Sequence, residues 1–233
     1  HLDGRALDEY GAWVFYPWSG ELVHLLPEEE YLEVRLNRNL NKITAAERAQ
    51  LADFTIGVVG LSVGNAIALT LAQEGVGGHL KLADFDLLEL GNMNRIRAGT
   101  HQLGLKKTVL VARQIFEINP WLKITLFDDG VNADNVDEFL GGEQPLDVLV
   151  DECDSVEIKY LLRERARELV VEPERGAQRL AWARSTHSAT ARSLLPPGDG
   201  LVLYQSSMAR AAPEQQASRR CLRGRPLAPG TTP

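Results

Sequence analysis

Hydrophobic positions in this chain fall into short blocks whose period switches repeatedly between strand and helix. Residues 55–59 are almost continuously apolar, the pattern of a strand covered on both faces. Residues 63–74 are apolar at Val63, Ile67 and Leu71 and on other faces too, as suits a helix lying between a sheet and its neighbours. Gly75, Gly77 and Gly78 end that helix, and residues 79–83 form a second strand. A long helix over 106–118 stops ahead of Pro120. Then come a strand at 123–127, a helix at 132–140, a strand at 146–150 and a charged amphipathic helix at 156–169. Strands separated by helices pair in parallel through crossover connections, so the pattern predicts an α/β domain: a doubly wound, mainly parallel sheet with helices on both faces.

The flanks differ from this body. Trp13-Val14-Phe15-Tyr16 and Leu22-Val23-His24-Leu25-Leu26 enclose Pro17-Trp18-Ser19-Gly20, which predicts a small β-hairpin, so residues 1–31 are expected to be an N-terminal extension. Pro27 and the acidic run 28–30 follow, then a short segment over 32–39 that holds Arg35 and Arg38. Thr44 with Glu47 three residues later is a capping box that opens a helix reaching about residue 52. Near residue 170 the texture changes. No Lys follows Lys159, no Ile follows Ile158, no Phe follows Phe139, and seven of the eleven prolines lie from Pro173 onward. Residues 170–233 are therefore expected to be an irregular Arg/Pro/Ala-rich tail, either disordered or read out of the native frame of a GC-rich gene. The first residue is His1, which reads as a fragment or a processed chain.

Charge narrows the function classes. The net charge is −7, and the tail carries nine Arg against four acids, which leaves −12 on residues 1–169. An acidic body argues against a nucleic-acid partner, because binding a phosphate backbone requires clustered Lys and Arg. Apolar runs stop well short of membrane length. Cys153 and Cys221 are too few for a disulfide framework or a four-cysteine zinc site, so a cytoplasmic setting without zinc is expected.

Candidate chemistry is concentrated in 57–107. Gly60-Leu61-Ser62-Val63-Gly64 lies between a strand and a helix, where glycine lets the backbone turn and approach a phosphate and the helix start offers free amides. Asp84 stands twenty residues after Gly64 at a strand end, where a carboxylate can accept from both ribose hydroxyls. These features fit any dinucleotide or nucleotide site, NAD- and FAD-dependent oxidoreductases included. Asn92-Met93-Asn94-Arg95 has no place in the usual hydride-transfer pattern. An amide and a guanidinium there can hold the α- and γ-phosphates, and Lys107 can add a point charge. Asp154, after the 146–150 strand, can hold Mg²⁺ through oxygen.

The succession Gly60–Gly64, Glu74-Gly75-Val76-Gly77, Asp84-Phe85-Asp86, Asn92-Met93-Asn94-Arg95, Gly104-Leu105-Lys106-Lys107 and Asp151-Glu152-Cys153-Asp154 resembles the adenylation domain of the ThiF/MoeB/ubiquitin-activating family, with its Rossmann-like fold, over about 35–168. The resemblance implies that a carboxylate, the C-terminus of a ubiquitin-like or sulfur-carrier protein, attacks the α-phosphate of ATP to give an acyl-adenylate and pyrophosphate. It implies ATP and Mg²⁺ as cofactors, with Gly60, Ser62, Gly64, Asp84, Asp86, Asn92, Arg95 and Lys107 at the nucleotide. Arg38, Asn92, Arg95 and Lys107 would be catalytic, Asp154 would hold the metal, and Arg38 would act across a homodimer. Some relatives are fused to flavin-dependent domains, which implies a redox partner in a longer parent protein. This chain departs from the pattern in three ways. Its loop is one residue shorter than Gly-x-Gly-Gly-x-Gly, Ser62 stands where glycine is usual, and the family's second half is not recognisable after Leu169. The departures keep a second reading open, a nucleotide-binding module without turnover.

Overall fold

The computed structural model describes residues 10–171 and 181–184. Among the described residues the strands are β1 (Ala12–Tyr16), β2 (Glu21–Leu25), β3 (Thr55–Val59), β4 (His79–Ala83), β5 (Lys123–Phe127), β6 (Val148–Asp151) and β7 (Ala181–Arg184). The α-helices among the described residues are α1 (Glu28–Leu36), α2 (Ala45–Ala52), α3 (Gly64–Glu74), α4 (Lys107–Ile118), α5 (Val136–Leu140) and α6 (Val156–Val171).

The antiparallel pair β1–β2 is the expected hairpin. It docks on the end of α4: the Tyr16 hydroxyl donates to the Phe116 carbonyl and the Trp18 indole to Glu117. Helix α1 was not read as one element from the sequence. Pro27 caps it, and Glu28, Glu29 and Glu30 fill its first turn, where negative charge is favoured. It runs across the expected boundary between residues 31 and 32. The capping box at Thr44 and Glu47 forms as expected.

Strands β3 to β7 make one parallel sheet in the order β5-β4-β3-β6-β7. The chain steps outward from β3 to β4 to β5, then returns to β6 on the other flank of β3. The reversal leaves a crevice beyond the carboxyl ends of β3 and β6, the place where open α/β sheets bind ligands. Alternation along the strands sorts the core. Ile56, Val58, Leu80, Leu82, Val148 and Val150 meet α3 and α4 on one face, while Val59, Ala83, Phe127 and Leu149 meet α5 and α6 on the other. On the second face Phe139 is fully buried and packs edge-on against Phe127. A Cβ on Gly57 would stand 2.8 Å from Phe139 Cζ, so the glycine makes room for the ring. Truncating Phe139 to alanine would cost about 3–5 kcal/mol.

Lys81, in the middle of β4, is buried as well. Its ammonium donates to the carbonyls of Glu138, Phe139 and Gly141 at the end of α5. Burial pulls its pKa down to about 8.

Element boundaries shift at three places. Helix α5 begins at Val136, not at 132, because the Asn132 side chain accepts from the amides of Asp134 and Asn135 and forms a turn instead. Strand β6 covers Val148–Asp151, with Leu146 and Asp147 leading into it. Val63 and Lys106 are cap residues of α3 and α4. The irregular tail was expected over 170–233. Most of that stretch lies outside the described residues, but Ala181–Arg184 pairs with β6 as the fifth strand of the sheet.

Candidate functional site

The site starts with the turn after β3. Gly60 has φ +85°, and a Cβ there would lie 2.7 Å from the Glu152 carbonyl and the Cys153 amide. Glycine is therefore required twice over, for its left-handed backbone and for the contact that brings the loop after β6 against the turn. A Cβ on Gly64 would sit 2.8 Å from Val58 Cγ1, so Gly64 seats the start of α3 close on β3. Among the described residues, the amides of Ser62 and Val63 donate to no protein group. They are the free donors expected at a helix start.

Asp84, directly after β4, is buried and closes the turn. Its Oδ2 accepts from the Leu61 amide at 2.6 Å, and its Oδ1 accepts from the Asp86 amide at 2.8 Å. Lys107 opens α4. A cation at a helix N-terminus opposes the helix dipole, so its position needs other support. The Lys107 ammonium lies 2.6 Å from Asp86 Oδ2, 3.2 Å from Ser62 Oγ and 3.8 Å from Asp84 Oδ1, with only 3% of the side chain exposed. Ser62, Asp84, Asp86 and Lys107 thus form one cluster beside the Gly60–Gly64 turn.

Asn92 and Arg95 occupy a separate turn. Residues 87 and 88 pair with 105 and 106. Ile96 then packs with Leu88 and Leu110 and ties the turn to α4. Asn92 Oδ1 accepts from the Glu89 amide, while exposed Arg95 donates to the Gly91 carbonyl and to Asn94 Oδ1. No described hydrogen bond joins these two residues to the Lys107 cluster. The segment after Arg95 is instead tied to α3 and α4 through residues not singled out from the sequence. Buried Asn65, in the first turn of α3, donates to Gln114 Oε1 on α4, and Gln114 donates onward to the Arg97 carbonyl. Gln114 is seven residues beyond Lys107 and shares its helix face. A polar residue at that spacing on an otherwise apolar stripe is the signal that could have found it.

At the carboxyl end of β6, Asp151 is fully buried and Asp154 is exposed. Asp151 Oδ1 takes hydrogen bonds from the Cys153 thiol at 3.0 Å and from the Lys159 ammonium at 3.1 Å. Burial and the Asp151 carboxylate push the Cys153 thiol up to about 12, so it stays protonated and is no nucleophile at neutral pH. Arg35 is structural: it donates to the Ala72 and Gln73 carbonyls at the end of α3. Arg38, one turn on, is exposed.

A parallel sheet with a glycine turn at its switch point, a carboxylate at the neighbouring strand end and a buried lysine beside both defines a doubly wound α/β domain of the kind that binds ligands beyond its strand ends. The sequence profile of the ThiF family matches residues 36–195, and the chain belongs to that family. The match runs past Leu169 and takes in Ala181–Arg184. The chain is 46% identical to uncharacterized protein MT1398 of Mycobacterium tuberculosis over 164 residues, covering 70% of this chain and 22% of that protein. It is 30% identical to ubiquitin-like modifier-activating enzyme 5 of Drosophila erecta over 195 residues, covering 78% of this chain and 45% of that enzyme. Among solved structures, E. coli tRNA N6-threonylcarbamoyladenosine dehydratase, TcdA, in complex with ATP is similar at 27% identity and a TM-score of 0.57, covering 69% of this chain and 62% of that one. The chain therefore spans less than half the length of these two curated relatives.

Proposed function

We propose that this domain binds ATP beyond the carboxyl ends of β3, β4 and β6 and transfers its adenylyl group to a carboxylate. The attacking oxygen would bond to the α-phosphorus as the bond to the β-phosphate bridge breaks, giving an acyl-adenylate and pyrophosphate. The observation that carries this reading is the Lys107 ammonium, held almost out of solvent beside a glycine turn in which, among the described residues, the Ser62 and Val63 amides have no protein acceptor. Similarity to ATP-bound TcdA and to a ubiquitin-like modifier-activating enzyme supports it.

The roles follow from position. Asp84 has further lone pairs for the ribose hydroxyls beyond the two amides it accepts from. The turn from Gly60 to Gly64 receives the phosphates, with the Lys107 ammonium, held in place by Asp86, supplying positive charge there. Asn92 and Arg95 would close on the phosphates from their own turn. Exposed Arg38 would reach a second copy of the chain in a homodimer. Catalysis here is positioning and neutralisation of charge rather than acid–base chemistry. Asp154 fits as a Mg²⁺ ligand: it is an exposed carboxylate two residues beyond the Glu152 carbonyl that abuts Gly60, and Mg²⁺ commonly takes one or two protein carboxylates with substrate phosphates. When bound, the ion would neutralise phosphate charge. The acceptor class is the C-terminus of a ubiquitin-like or sulfur-carrier protein, and a fused flavin-dependent domain belongs to the parent protein in this reading.

Two measurements test it. Calorimetry with ATP and NAD compares the cofactors, and tighter NAD binding would overturn the adenylation reading. Pyrophosphate exchange into ATP, with Mg²⁺ and a ubiquitin-fold protein ending in Gly-Gly, tests turnover. ATP binding without exchange would favour a nucleotide-binding module instead.

A further inference from the structure

The shortened turn leaves Ser62 with a hydroxyl where the family pattern has a bare glycine backbone. Its Oγ accepts a hydrogen bond from the Lys107 ammonium at 3.2 Å. A hydroxyl that accepts from a cation has its own proton directed elsewhere, and among the described residues Ser62 donates to no protein group. The ammonium is itself held by Asp86 at 2.6 Å, and the Leu61 amide next door is already spent on Asp84. The turn thus has the amides of Gly60, Leu61 and Gly64 engaged and one hydroxyl proton unused.

We propose that the Ser62 hydroxyl is itself a phosphate donor, oriented by the hydrogen bond that it accepts from Lys107. The proposal rests on the nucleotide reading above and adds a residue-specific contact to it. A hydroxyl bound to a charged phosphate oxygen is a charge-assisted bond, shorter and stronger than one between neutral groups. Ser62 is then selective for phosphorylated ligands and indifferent to the nucleoside.

The test is calorimetric titration of the whole chain and of Ser62→Ala, Ser62→Gly and Ser62→Thr with adenosine, AMP, ADP and ATP. Unliganded melting temperatures of all four proteins report the fold. Ser62→Ala and Ser62→Gly should weaken binding of the phosphorylated ligands about tenfold or more and leave adenosine unchanged. Ser62→Thr, which keeps the hydroxyl, should restore wild-type affinity. The first ligand in the series to lose affinity identifies the phosphate contacted. Unchanged nucleotide affinity in the alanine and glycine variants would overturn the proposal while leaving the ATP reading intact. Equal losses for adenosine would also overturn it, because they mean a purely structural role. If the unsubstituted chain binds none of the phosphorylated ligands, the ATP reading falls and this contact falls with it. Should the alanine variant fail to fold, the glycine and threonine pair decides by the same criteria.

Discussion

Two lysines are buried in this domain, and they are buried differently. Lys81 in β4 is held by three neutral carbonyls at the end of α5. Lys107 at the start of α4 is held by Asp86, with Asp84 close by and Ser62 alongside. Neutral dipoles satisfy the hydrogen bonds of Lys81 but do not cancel its desolvation, and its pKa falls accordingly. Lys107 instead has anionic partners and lies at the switch point of the sheet, beside unengaged amides. A buried cation whose donors end on a helix terminus locks two elements together. A buried cation facing free donors is prepared for an anion that has yet to arrive.

The largest effect that this contrast predicts is on Lys107→Met. ATP–pyrophosphate exchange should fall about 1000-fold, in the range of losing a positioned phosphate contact. Stability should change much less, because Asp86 is half-exposed and rehydrates once its partner is gone. Equal exchange rates for Lys107→Met and the parent chain would erase the distinction between the two lysines. Next comes Arg95→Ala, with about a 100-fold loss of exchange and an unchanged melting temperature. Arg95 is exposed and bonds only its own turn, so the fold loses nothing when it is removed. A drop of several degrees in that variant would mean that the turn is structural.

Which of the two lysines mattered was partly visible in the sequence. Lys107 stood out because Gly104 precedes it and the Asp84-Phe85-Asp86 strand end lies upstream. Lys81 did not, since a lysine in an apolar strand shows nothing of the carbonyls that receive it. Four strands of the parallel sheet were legible because each is a short, largely apolar block bounded by glycine, proline or polar turns. Helix α1 was missed because its first turn is acidic and its apolar positions are few, so charge masked periodicity. Helix α5 was read too long, because side-chain hydrogen bonds from Asn132 compete with helix and composition alone does not show the winner. Ser62 read both as a departure from a motif and as a residue at the nucleotide; its 3.2 Å contact with Lys107 was not visible in the sequence. Residues 181–184 sit inside a stretch whose composition suggests no order, and a strand of four residues is too short to stand out against it.

Lys81 offers a smaller effect with a defined sign. Its folded pKa of about 8 lies below the ordinary lysine value of 10.5. Between those values the unfolded chain binds more protons than the folded one, so stability rises with pH across that window. The gain should reach up to about 3 kcal/mol in full, less as water relaxes the site. Below pH 8 both states hold the proton and the contribution is flat. Urea midpoints from pH 7.5 to 10.5 for the parent chain and Lys81→Met check this, because only the parent should show the rise. Lys107→Met should keep it.

His79 gives the smallest effect, and it works on the acid side. The ring is buried at the start of β4, where Nε2 meets Thr125 Oγ1 at 2.8 Å. Burial first, then the positive charges of Lys123 and Lys81, hold its pKa below the ordinary 6.5. The folded state therefore resists a proton that the unfolded chain accepts. Stability from this source is complete above pH 6.5 and declines as pH falls beneath that value. Carboxylates titrate lower still, so the informative quantity is the difference between the parent chain and His79→Gln over pH 5 to 7. The parent should lose stability faster on acidification. Because Lys81 contributes to the depression, Lys81→Met should shrink the His79 effect, whereas Lys107→Met, at the far end of the strand pair, should leave it intact. Parallel acid profiles for the parent and His79→Gln would show that the ring takes up its proton at no cost, and that the two buried lysines differ in their partners but not in the field they impose on the sheet.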